Sequence, residues 1–138
     1  MKHLPIVLAA LFVVYSFLPP RPVVETGPVT KALASASSAD RAKVAGIYRA
    51  LADVTARDQG KQIGSTAVWR AVHSSALRLA VGGSSFVGKY AGLDRAVEEV
   101  IASKATLDNL PLTAESNGQP VWKTLEQACL EVARQAGG

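Results

Sequence analysis

His73 is the first residue to ask about, because an imidazole is the side chain best suited to move protons at neutral pH, and Ser74 and Ser75 follow it directly. A serine nucleophile needs a base within hydrogen-bond reach and an acid that orients the base. Nothing in the order of residues supplies that geometry, so a half-exposed, hydrogen-bonded structural histidine is the expectation for His73. The other histidine, His3, lies in the first few residues. One histidine and one cysteine on separate elements do not make a metal site, and a single Cys129 excludes both an internal disulfide and a multi-cysteine zinc centre. Cys129 recurs in phase with Leu125 and Val132, which marks it as a buried, inert small hydrophobe. Glu98 and Glu99 are adjacent carboxylates, but neighbours on a helix point about 100° apart and serve no common substrate. They are expected at the surface.

A second chemical suggestion comes from Gly83-Ser84-Ser85-Phe86-Val87-Gly88-Lys89-Tyr90, which comes within one residue of a phosphate-binding loop. That motif cradles phosphates with backbone amides and holds magnesium through a Ser or Thr hydroxyl, a place taken here by Tyr90. The motif also needs a preceding buried strand, and this segment follows a helix. It reads instead as an interhelical loop swivelling on glycines. No cofactor and no catalytic constellation are expected, and the chain reads as a non-enzyme.

The elements that would position these residues are helical. The chain has 138 residues, 49% hydrophobic and 19% charged, with a formal net charge of +4. One small domain fits that length, and the apolar content excludes intrinsic disorder. Aromatics at 6% give no stacking surface for single strands, so nucleic acid is not expected as a partner. Ser37 and Asp40 form a capping pair ahead of Val44, Ile47, Tyr48, Leu51 and Val54, which share one face of a first helix ending near Gly60. Gly46, with Ala42 and Ala45, is expected to mark a close helix contact. A second helix starts at Ser65 or Thr66, with Val68, Trp69, Val72, Ala76 and Leu79 as its inner stripe. A third spans Leu93 to Lys104 with Leu93, Val97, Val100 and Ile101 inward. A fourth begins near Pro120, buries Val121, Trp122, Leu125, Cys129 and Val132, and stops at Gly137. A short helical turn over 29–36 is possible, and no stretch of four or more residues alternates cleanly with period two from Thr30 onward. The fold class is all-α: a bundle of about four amphipathic helices over 29–138.

Ahead of the bundle lie an apolar segment and a spacer. Residues 4–18 read LPIVLAALFVVYSFL behind Lys2 and His3, a targeting pattern within residues 1–18 that acts as a signal anchor or a signal peptide. The Pro19-Pro20-Arg21-Pro22 run after it suits the peptidase badly. Fifteen residues, however, span only about 22 Å of a roughly 30 Å hydrocarbon core. A retained single-pass anchor with the domain outside the cytoplasm is the expectation, and cleavage to a secreted or periplasmic form is the alternative. The proline-rich residues 19–28 read as a stiff, extended spacer.

Charge is divided unevenly. No acid occurs between Asp58 and Asp94, while Lys61, Arg70, Arg78 and Lys89 do, and from Asp94 onward seven acids face four bases. Arg70, Ser74 and Arg78 follow one line of the second helix and, with Lys89, are candidates for a ridge facing an anion or an acidic partner. Leu77, Val81 and Leu130 stand off the apolar stripes, so they are candidates for a patch that binds a protein partner or a second copy. The functional expectation is a membrane-tethered or exported helical module acting by protein contacts. The alternatives are a cleaved helical protein holding a small ligand between helices, or an accessory or lysis protein of the phage type.

Overall fold

A computed structural model describes residues 27–80, 92–105 and 108–137. Five helices account for most of these residues: α1 (Pro28–Ala32), α2 (Ser38–Asp58), α3 (Thr66–Ala80), α4 (Leu93–Lys104) and α5 (Val121–Ala136). Two-residue strands β1 (Glu115–Ser116) and β2 (Gln119–Pro120) pair antiparallel just before α5. The mostly helical expectation therefore holds. The apolar segment 4–18 and most of the spacer 19–28 lie outside the described residues, and among the described residues no helix is long and apolar enough to cross a membrane. At the spacer's far end, Gly27 is the N-cap and Pro28 occupies the first turn of α1, where a missing amide hydrogen costs nothing.

The helices start and stop for local reasons. Ser37 Oγ accepts the Asp40 amide at 3.1 Å and opens α2, as its sequence position suggested. The same helix ends one residue earlier than Gly60 implied, because Gln59 itself turns left-handed at φ 52°. Gly60 follows at φ 84°, where a Cβ would meet Leu112 Cβ at 2.9 Å, so both conformation and space require glycine there. Asn117 and Gly118, at φ 56° and 83°, form the tight turn that joins the two strands. An Asn-Gly pair is the strongest short-range hairpin signal, and a strand pattern requiring four residues passes over it.

The core is centred on α5 against α2, with α4 packed on α5, and α1 lies against α4 and α5. Its buried side chains on α2 are Val44, Ala45, Tyr48, Leu51, Ala52 and Thr55. On α5 they include Thr124, Leu125, Ala128, Cys129, Val132, Ala133 and Ala136. The contact between these helices is thus rich in alanine, threonine and cysteine, which lets two backbones approach closely and turns α2 about its axis. Ile47 is half-buried and packs against this core, whereas Val54 is 49% exposed and leaves the stripe expected of it. Gly46 marks no close contact, since no heavy atom lies within 4 Å of where its Cβ would stand. α4 buries the expected Leu93, Val97, Val100 and Ile101.

The connection over 108–120 closes one end of the bundle. Thr66 N–H donates to Leu110 O, Leu112 N–H to Gly64 O, and Trp122 N–H to Leu112 O. Leu112 is thereby held in the core with no exposed surface. α3 is the edge element, and its main packing partner is α2.

Candidate functional site

α3 turns its polar residues inward. Thr66, Trp69, His73 and Leu77 form its buried line, spaced three or four residues apart, whereas Val68, Val72 and Leu79 are 47%, 38% and 81% exposed. Of the stripe expected for this helix, Trp69 is buried and Ala76 half-buried, whereas Val68, Val72 and Leu79 face outward and His73, expected half-exposed at the edge, is sealed inside. The reason is hydrogen bonding: a buried polar group is tolerated when it is paired, and each of these is. Trp69 Nε1–H donates to Thr55 Oγ1 at 3.0 Å, and the Thr55 hydroxyl donates to Leu51 O at 2.7 Å. Thr66 Oγ1 accepts the Leu110 amide at 3.0 Å and donates to the Asp108 carbonyl.

His73 is the hub of a relay joining three helices. The Tyr48 hydroxyl on α2 is hydrogen-bonded to Nδ1 at 2.9 Å, and Nε2 lies 3.2 Å from Glu98 Oε1 on α4. Arg70 Nη2 stands 3.5 Å from the other Glu98 oxygen. Trp69 stacks on the imidazole with ring centres 5.1 Å apart and planes 21° from parallel, and Tyr48 tilts against it at 6.1 Å. Burial, reinforced by the negative charge of Asp94 and Glu98 and by the neighbouring Cys129 thiol, pushes the Tyr48 hydroxyl far above its ordinary range. Tyr48 therefore keeps its proton, and its hydroxyl and the imidazole Nδ1 satisfy each other within the core.

The residue types are those of a base held by an acid, but access is missing. Tyr48 and His73 are 1% and 0% exposed, so no substrate reaches the ring. Only Glu98, with a side chain 31% exposed, meets solvent, where it lines an open cleft of about 500 Å³ with Gly92, Asp94 and Arg95. Glu98 was expected at the surface; it is instead the half-buried acceptor for His73 and Arg70. The relay is a polar clasp of the core. Cys129 is fully buried as expected, and burial pushes its thiol well above the usual range and out of reach of the thiolate chemistry of reactive cysteines. Among the described residues no group of three His, Cys, Asp or Glu side chains could hold a metal ion.

The accessible feature lies on the opposite side of α3. Val72 and Ala76, with Ile47, Ala50, Leu51 and Val54 of α2, line an open groove of about 210 Å³ walled by apolar residues. Val68 and Leu79 are further exposed apolar residues of α3. Val54 also borders a second depression of about 320 Å³, shared with Arg57, Asp58, Lys61 and Gln62. Residues read as core by hydropathy thus form the exposed face. Only their number gave a hint: the apolar positions on these two helices outnumber those that one side of each can bury.

The expected sites divide accordingly. In the proposed ridge Arg70 is engaged with Glu98, Ser74 is half-buried, Arg78 is exposed, and Lys89 lies outside the described residues, as does the whole glycine-rich loop from Gly83 to Tyr90. In the proposed patch Leu77 is 1% exposed, which corrects its placement, because it completes the Thr66–Trp69–His73 line into the core. Leu130 is 48% exposed on α5, and Val81 lies outside the described residues. No protein-family model, curated protein or solved structure matches this chain.

Proposed function

We propose that this chain is a non-enzymatic helical module that acts by binding another protein, held at a membrane by residues 4–18 with its domain on the far side from the cytoplasm. The observation that carries this reading is the open apolar groove between α2 and α3, where Val54 and Val72 are 49% and 38% exposed, with Val68 and Leu79 exposed elsewhere on α3. Contiguous exposed apolar surface is a liability in a small domain unless something covers it. The sealing of the His73 relay, which has catalytic residue types, supports the same reading. So does the apolar run behind Lys2, which has the form of a targeting segment.

The test is a photoreactive side chain at Val72 in the full chain, expressed in the cell it comes from, with a control at Glu99 on an exposed turn of α4. The expected result is a protein adduct of discrete mass from position 72, absent from position 99 and lost when Leu79→Asp is added. Equal labelling from the two positions, or adducts with lipid alone, would overturn the reading.

A further inference from the structure

We infer that the groove is filled by the chain's own apolar run when no membrane is present, and is freed when that run enters a bilayer; this rests on the protein-binding reading and names how its site is regulated. The lining selects the kind of occupant. Ile47, Ala50, Leu51, Val54, Val72 and Ala76 are all apolar, so the groove offers a polar ligand no charged or hydrogen-bonding side chain. An apolar chain fits it, and one is attached. In residues 4–18, which lie outside the described residues, Ser16 is the only clearly polar side chain.

The place where that run joins the domain sets its reach. Gly27 packs directly on Gln135 near the end of α5, and the Val29 amide donates to Gln135 Oε1 at 3.1 Å. A Cβ on Gly137, just past the same helix end, would stand 3.8 Å from Arg41 Cβ in the first turn of α2. The chain therefore enters the domain at the end where α2 begins. From Arg41 the groove starts at Ile47, about 9 Å along the helix axis, and ends at Val54, about 20 Å along it. Passing round α2 adds about 10 Å, the width of a helix. Residues 19–26, with prolines at 19, 20 and 22, span about 25 Å when extended. They bring Phe17 and Leu18, the near end of the apolar run, within reach of the groove at an effective concentration in the millimolar range.

A bilayer competes for the same residues and wins. The groove, at about 210 Å³, takes only a few side chains, whereas a bilayer takes the whole run. Apolar burial is favourable in proportion to the area removed from water, so insertion empties the groove and opens it to a partner.

The test places a photoreactive side chain at position 72 of the full chain, held dilute in buffer as a mixture of isotope-labelled and unlabelled protein. The expected result is an adduct between position 72 and a peptide from residues 4–18 of the same chain, reduced about ten-fold by vesicles of phosphatidylcholine and phosphatidylglycerol. Phe17→Asp with Leu18→Asp is expected to remove that adduct with unchanged helicity by circular dichroism, while Leu4→Asp, at the far end of the run, leaves it in place. The inference is overturned if the adduct does not form in buffer, or if vesicles do not reduce it. It also falls if adducts join only labelled to unlabelled chains, which would make the occupant a second copy. If position 72 captures a partner in cells while no adduct to residues 4–18 forms in buffer, only the regulation is wrong; if it captures neither, the protein-binding reading falls with it.

Discussion

Tyr48 and Glu98 each stand 25 residues from His73 in opposite directions along the chain, and the fold brings both to the same ring. Removing the Tyr48 hydroxyl leaves Nδ1 buried without its hydrogen-bond partner, which costs about 1–3 kcal/mol. Tyr48→Phe is therefore expected to lower unfolding free energy by that amount in urea titration. It leaves the helical signal intact and shifts the ring-nitrogen resonances of His73. His73 and Glu98 were visible as chemically able types, but their partnership was not, because a hydrogen bond across three helices leaves no trace in local spacing. The apolar residues carried a different ambiguity. Val72 and Trp69 are equally plausible core residues by hydropathy, and only the surroundings of α3 put the indole inside and the valine outside.

At the level of elements, α1 is held to α5 by a small network. Val29 N–H donates to Gln135 Oε1 at 3.1 Å, Gln135 Nε2–H donates to Glu131 Oε2 at 2.9 Å, and Arg134 Nε–H reaches Glu131 Oε1 at 3.1 Å. The hydrogen bond from Arg134 is the main reason the Glu131 carboxyl is lowered to about 2, aided by Gln135 and Lys104 and opposed by partial burial. A carboxyl whose folded value is depressed adds stability above its ordinary value near 4.5 and loses it as pH falls toward about 2. Glu131→Gln should therefore unfold about 1 kcal/mol more easily than the parent at neutral pH, with the difference vanishing between pH 4.5 and about 2, as followed by denaturant titration across that range. Helix bounds were legible where caps are local, as Ser37 and Gly137 act on their own neighbours, whereas Pro28, read as the end of an extended spacer, opens α1 instead. Helix faces were less so. The small residues Ala45, Ala52, Ala128 and Ala133 are buried where α2 meets α5, and Val54 lies outside that face.

For the whole molecule, the apolar surplus belongs to two places. Part of it is the run at residues 4–18, proposed as the membrane tether, and part is the α2–α3 groove at the surface. A chain beginning at residue 27 is expected to move from the membrane pellet to the supernatant on fractionation while keeping its helical signal, and the full chain is expected to stay in the pellet through a high-salt wash. Loss of the full chain from the pellet in that wash would make the attachment electrostatic rather than apolar. The charge division follows the same map: the basic stretch from Asp58 to Asp94 includes α3, and the acidic majority lies on α4 and beyond. What the residues determined alone was the helical character, the ends of most helices, the burial of Cys129 and the uneven charge. Each follows from periodicity, capping or counting, which act within a few residues. Only the tertiary structure decided that His73 is sealed, that Leu77 is core, and that Val54, Val68, Val72 and Leu79 face outward. An amphipathic sequence limits which sides of a helix can be buried, but the helix that packs against it chooses among them.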